Sequence, residues 1–118
     1  MINRNDTSSP TLLDWLWAEV MCVQAMVGSI SNNFRQIVLE YRNSNWVLSV
    51  SLENKNETDE EEILDIVDEF SIYLGDVKEK LSECAYCKIK AEITIAEIEL
   101  KDYEANSNAR ILFRKRED

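Results

Sequence analysis

The stretch Thr58-Asp59-Glu60-Glu61-Glu62-Ile63-Leu64-Asp65-Ile66-Val67-Asp68-Glu69-Phe70-Ser71-Ile72-Tyr73-Leu74 organises the chain. Ile63, Ile66, Val67, Phe70, Tyr73 and Leu74 recur at steps of three and four, which on a helix makes one apolar stripe to lay on a core. Thr58 and Glu61 have the spacing of a capping box, in which each side chain satisfies a backbone donor of the first turn, so the helix is expected to begin there. Away from the stripe the helix is acidic. Glu57, Asp59, Glu60, Glu61, Glu62, Asp65, Asp68 and Glu69 are eight of the twenty-three acids, and no Lys or Arg falls between Asn56 and Val77.

A helix designed only for solubility intersperses Lys four residues from Glu. Here the pairs at that spacing are alike, Glu57 with Glu61 and Glu61 with Asp65, and each costs a few tenths of a kcal/mol. The bland reading is a solvated face that keeps the domain soluble. The functional reading is a surface whose self-repulsion a cationic partner relieves, with Glu57, Glu61, Asp65, Asp68 and Glu69 as its candidate contacts.

On the C-terminal side the stripe stays in register through Val77 and Leu81. The helix is therefore expected to reach about Ser82, with a stop at Gly75 as the alternative. Cys87, Ile89, Ala91, Ile93 and Ile95 then alternate with Lys88, Lys90, Glu92 and Thr94, which is the period of a half-buried strand. After a polar stretch to Asn108, Arg110 to Arg116 reads as a last short strand with Ile111 and Phe113 inward.

On the N-terminal side, Trp46, Leu48, Val50 and Leu52 alternate with Val47, Ser49, Ser51 and Glu53, and Ile37, Leu39 and Tyr41 alternate with Val38, Glu40 and Arg42. Asn43-Ser44-Asn45 between them tolerates left-handed backbone, so the two strands form a hairpin. Before it lies a helix, with Ser9 and Pro10 as N-cap and first position and Gly28 as its stop. Leu13, Leu16, Trp17, Val20, Val23 and Val27 make its expected core stripe. Leu12, Trp15, Cys22 and Met26 form an apolar flank, which is either sunk in the core or a surface for a partner or a second copy. Met1 to Ser8 reads as a frayed polar leader.

The order α-β-β-α-β-β predicts a single α+β domain over residues 1–118: a four-stranded, largely antiparallel sheet in two antiparallel pairs, packed by two main helices. The length suits one core, with 45% hydrophobic and 31% charged residues and only two Gly and one Pro. A net charge of -10 argues against nucleic acid and anionic membranes as partners, since both are polyanions. No signal sequence is evident, and no apolar run approaches the roughly 18 residues of a membrane span, so a cytoplasmic protein is expected.

Histidine is absent, which removes the commonest general base, the Ser and Cys triads and the usual zinc ligand. Two isolated glycines build neither a Walker loop nor a dinucleotide fingerprint. Cys84-Ala85-Tyr86-Cys87 is a CxxC, but it follows a helix and precedes a strand, with Cys87 in phase with inward residues; structural cysteines are expected. A zinc site would need a further ligand pair, and Cys22 alone does not supply it. The expectation is a protein that is not an enzyme and carries no cofactor and no metal.

Asn33-Phe34-Arg35 leading into Ile37-Val38-Leu39, Trp46-Val47-Leu48, Glu61-Glu62-Ile63 with Asp65-Ile66 and Glu69-Phe70, and the closing Arg110-Ile111-Leu112-Phe113-Arg114 together resemble small bacterial immunity proteins of polymorphic or contact-dependent toxin systems. The resemblance spans most of the chain from Leu12. It implies stoichiometric inhibition of a cognate toxin, often a basic nuclease to which the immunity protein presents acids. The acidic helix agrees with it. A second function class remains, a non-enzymatic oligomeric adaptor that uses the flank of the first helix, and a homodimer is compatible with either.

Overall fold

The computed structural model describes residues 9–95 and 108–115. The leader at residues 1–8, the polar stretch before Asn108 and Arg116 lie outside the described residues. Within them the chain forms α1 (Leu12–Met26), β1 (Phe34–Arg42), β2 (Asn45–Leu52), α2 (Glu57–Asp76), β3 (Ile89–Ile95) and β4 (Ala109–Arg114). The order α-β-β-α-β-β and the α+β class are as the sequence predicts. Two short 3-10 turns, Lys78–Lys80 and Glu83–Ala85, join α2 to β3.

The β1–β2 hairpin pairs Arg42 with Asn45 around a two-residue turn, Asn43 and Ser44, both at positive φ. That is the turn whose twist matches the two strands it joins. The last two strands do not pair with each other. The sheet order is β3-β2-β1-β4: it is largely antiparallel as expected, with β1 antiparallel to both β2 and β4, but β3 lies parallel to β2, so the expected β3–β4 pair is not formed. Strand periodicity fixes which face a residue takes and says nothing about its neighbour in the sheet.

The face predicted for β1 and β2 is the core face: Ile37, Leu39, Trp46, Leu48, Val50 and Leu52 are buried, joined by Ile63, Ile66, Phe70 and Leu74 of α2. On β4 the expected phase fails. The register against β1 shifts by one residue between Ile37 and Val38, where Phe113 and then Ile111 are the partners. Such a bulge turns consecutive residues toward one side. Leu112 and Phe113 pack on the core, and Ile111 is exposed.

The largest departure concerns α1. Its buried residues are Asp14, Trp15, Ala18, Cys22, Ala25 and Met26, so the expected flank, all but Leu12, is the core side. Leu12, Leu13, Leu16, Val20, Val23 and Val27 stand in solvent, exposed from 44% at Val23 to 82% at Leu12. Small Ala18, Cys22 and Ala25 let the helix approach its neighbours closely, and Trp15 fills the remaining space edge-on against Trp46, ring centres 5.0 Å apart. The adaptor reading thereby loses Trp15, Cys22 and Met26 as surface residues.

The start of α1 also differs. Thr11, not Ser9, is the N-cap, in a capping box with Asp14: the Asp14 N–H donates to Thr11 Oγ1 at 3.1 Å and the Thr11 N–H to Asp14 Oδ2 at 2.8 Å. The remaining Asp14 oxygen, Oδ1, accepts the Ser82 N–H at 2.9 Å. An aspartate that sequence alone assigns to water is buried with two backbone N–H groups, of Thr11 and Ser82, donating to its carboxylate. Gly28, with φ at 82°, ends the helix region as expected.

Candidate partner-binding surface

The outer face of α2 is set in place from its first turn. Asn56 is the N-cap: its Oδ1 accepts the Asp59 N–H at 3.0 Å, so the Thr58–Glu61 capping box is not the one the helix uses. Asp59, which the sequence counts among the solvated acids, is buried. Its carboxylate accepts from Ser31 Oγ at 3.0 Å and Asn33 Nδ2 at 2.9 Å. Asn33 also holds the loop before the helix, donating to the Asn54 carbonyl at 2.7 Å and accepting the Asn54 N–H at 2.9 Å. The helix N-terminus is thus clasped to the loop that enters β1.

At its other end α2 stops at Asp76, earlier than the expected end near Ser82. Val77 and Leu81 still pack on the core, from the turns that follow. Gly75 lies within the helix, facing the Tyr86 hydroxyl.

At about 100° per residue, Glu57, Glu61, Leu64, Asp65, Asp68 and Ile72 share one arc of α2 and Glu69 lies at its margin, opposite the core stripe. All seven are exposed. Among the described residues, the ion pair of this helix is Lys55 with Glu60 at 2.9 Å, at its N-terminal edge. Acids in a first turn are favoured by the helix dipole. Asp65, Asp68 and Glu69 are too far along to gain from it.

Leu64 and Ile72 are the surface residues that sequence reasoning passed over. They are 56% and 63% exposed between the acids. The signal was present: two large apolar residues out of phase with the core stripe by nearly half a turn. An apolar pair framed by charge has the composition of a binding patch, in which apolar side chains exclude water and the charged rim orients the partner.

The CxxC segment has a different character. Tyr41 Oη donates to the Cys84 carbonyl at 2.6 Å and Trp46 Nε1 to the Ala85 carbonyl at 2.8 Å, tying the loop to the hairpin. Burial pushes the Cys84 and Cys87 thiols up from their ordinary range. A reactive cysteine needs the opposite shift. Among the described residues no group of three His, Cys, Asp or Glu is placed to hold a metal ion, and no helix is long and apolar enough to cross a membrane.

The scaffold is two-layered, presents a charged helix face, and uses the buried Asp14 and Asp59 to clasp loops to its helices. The family model of the MafI2 immunity protein matches residues 14–117, and the chain belongs to that family, whose members serve polymorphic toxin systems. The match runs from the Asp14 clasp through β4. No curated protein matches the sequence.

Proposed function

We propose that this immunity protein neutralises a basic cognate toxin of nuclease type by binding it through the outer face of α2. In this reading Glu57, Glu61, Asp65, Asp68 and Glu69 meet cationic side chains of the toxin, and Leu64 and Ile72 fill the apolar centre between them. The protein acts in the cytoplasm as a single non-enzymatic domain over residues 1–118, without a cofactor, nucleic acid or membrane.

One observation carries the reading. The acids of this arc point away from the core and repel one another, so their cost is not offset inside the fold. A basic toxin converts that repulsion into attraction and speeds its own capture, because complementary charge raises association rates well above those of neutral surfaces.

The test is the affinity for a cognate toxin domain, measured across a salt series. Binding should weaken steeply as ionic strength rises, since exposed charges more than about 8–10 Å apart are screened at physiological salt. An affinity indifferent to salt would remove the acidic arc from the interface.

A further inference from the structure

The aliphatic face of α1 is a second surface, distinct in chemistry from the first. Leu12, Leu13, Leu16, Val20, Val23 and Val27 are exposed by 44% to 82%. Together they present roughly 600 Å² of apolar area, the upper end of what the largest patch on a monomer usually carries. The charged residues of α1 are Asp14, which is buried, and Glu19, which is half-buried. The face itself is neutral in a chain of net charge -10.

We propose that two copies of the chain pair through this face, α1 against α1 in antiparallel order about a two-fold axis near Val20. Area is the first argument. Two such patches bury roughly 1,200 Å², the lower edge of the range for specific, stable interfaces. Charge is the second. Two chains of net charge -10 repel wherever their acids meet, and the neutral face is where a second copy approaches at least cost, whereas a basic toxin finds no acid there to reward it.

Shape is the third argument. The leucines occupy the first half of the face and the valines the second. Antiparallel pairing sets Leu13 beside Val27 and Leu16 beside Val23 of the other copy, large against small, while Val20 on the axis meets its own equivalent. That is the reciprocal contact a two-fold interface demands. A parallel pair would set leucine on leucine, valine on valine, and align the two helix dipoles unfavourably.

The pairing does not rest on the toxin reading and is tested on the chain alone. Sedimentation equilibrium over a concentration series should show a dimer that holds or tightens as salt rises. Leu16→Glu combined with Val20→Glu should weaken it roughly a hundredfold or more, because a buried unpaired carboxylate is costly, while an unchanged far-ultraviolet circular dichroism spectrum shows the variant folded. Under oxidising conditions Val20→Cys should crosslink to its own copy, and Leu12→Cys should not, above the background that Cys84 and Cys87 give in the unaltered chain. A wild-type monomer at all concentrations would overturn the proposal. So would a dimer that survives the two glutamates, or self-crosslinking at Leu12→Cys in place of Val20→Cys.

Discussion

The carboxylate of Asp14 accepts the backbone N–H of Ser82, 68 residues further along, at 2.9 Å. With the Thr11 N–H on its other oxygen, one side chain caps α1 and anchors the connection that leaves α2. Asn33 and Asp59 do the same at the opposite end of α2, so each end of the acidic helix region is fixed by a buried polar side chain.

Replacing Asp14 by Ala should therefore cost more than a cap. Loss of the box removes about 1 kcal/mol, and the part-buried Ser82 N–H left without its acceptor adds up to about 1 kcal/mol. A denaturant titration should show a lowered midpoint with an unchanged slope.

The same residue gives the stability a pH signature. Burial alone would raise its pKa, but the hydrogen bonds from Ser82 and Thr11 prevail and hold the carboxyl below its ordinary 3.8. A carboxyl depressed in the folded state contributes stability above its unfolded pKa and loses it as pH falls through the folded value. Wild-type stability should decline below about pH 4 with a component that is missing from Asp14→Asn, compared by melts across that range.

Reversing Asp65 and Asp68 to Lys should separate stability from binding. Both are exposed, and such changes usually move stability by less than about 0.5 kcal/mol, here with relief of self-repulsion in their favour. If they contact the toxin, affinity should fall by about 2–5 kcal/mol, or tens to thousands of times. Thermal melts and binding isotherms on the same double variant decide this, and full affinity with an unchanged melt would reduce the arc to a solvated face.

The two glycines should respond in opposite directions to Ala. Gly28 has φ at 82°, where a Cβ costs about 1–2 kcal/mol, so Gly28→Ala should lower the melting temperature. Gly75 is helical, and a Cβ there would meet the Tyr86 hydroxyl at 3.7 Å, an ordinary contact. Gly75→Ala should stabilise by about 0.5–1 kcal/mol through the unfolded chain.

Cys84 and Cys87 should prove dispensable for toxin binding. The Tyr41 and Trp46 side chains hold this loop through the Cys84 and Ala85 carbonyls, which substitution of the thiols leaves in place. Replacement of both by Ala should lower stability by about 1–2 kcal/mol and leave the affinity for the toxin unchanged. A loss of binding with an unchanged melt would show a role for the thiols themselves.

Much of the fold was legible in local pattern. The stripe Ile63, Ile66, Phe70, Leu74 and the alternation through β1 and β2 each place a set of side chains on one face, so periodicity names most core residues of those elements; on β3 the inward Ile89, Ala91 and Ile93 are only partly buried and Ile95 is exposed, and Val38 and Val47 are buried on the face expected outward. The acidic arc follows from the same stripe, as its complement. Leu64 and Ile72 were legible too, as apolar residues out of phase, but become part of a surface only once the opposite face is known to be buried.

The sequence by itself determined the order of elements, the hairpin turn at Asn43 and Ser44, the apolar stripe of α2 and the charge of its outer face, because each depends on residues near one another in the chain. Only the tertiary structure decided which side of α1 is core. Both sides are apolar, so hydrophobicity does not discriminate; the choice falls to the small Ala18, Cys22 and Ala25, which allow close packing, and to Asp14, which must reach Ser82. Strand neighbours were decided the same way, with β3 beside β2 and β4 beside β1, since pairing is a long-range competition among strands that local alternation does not encode.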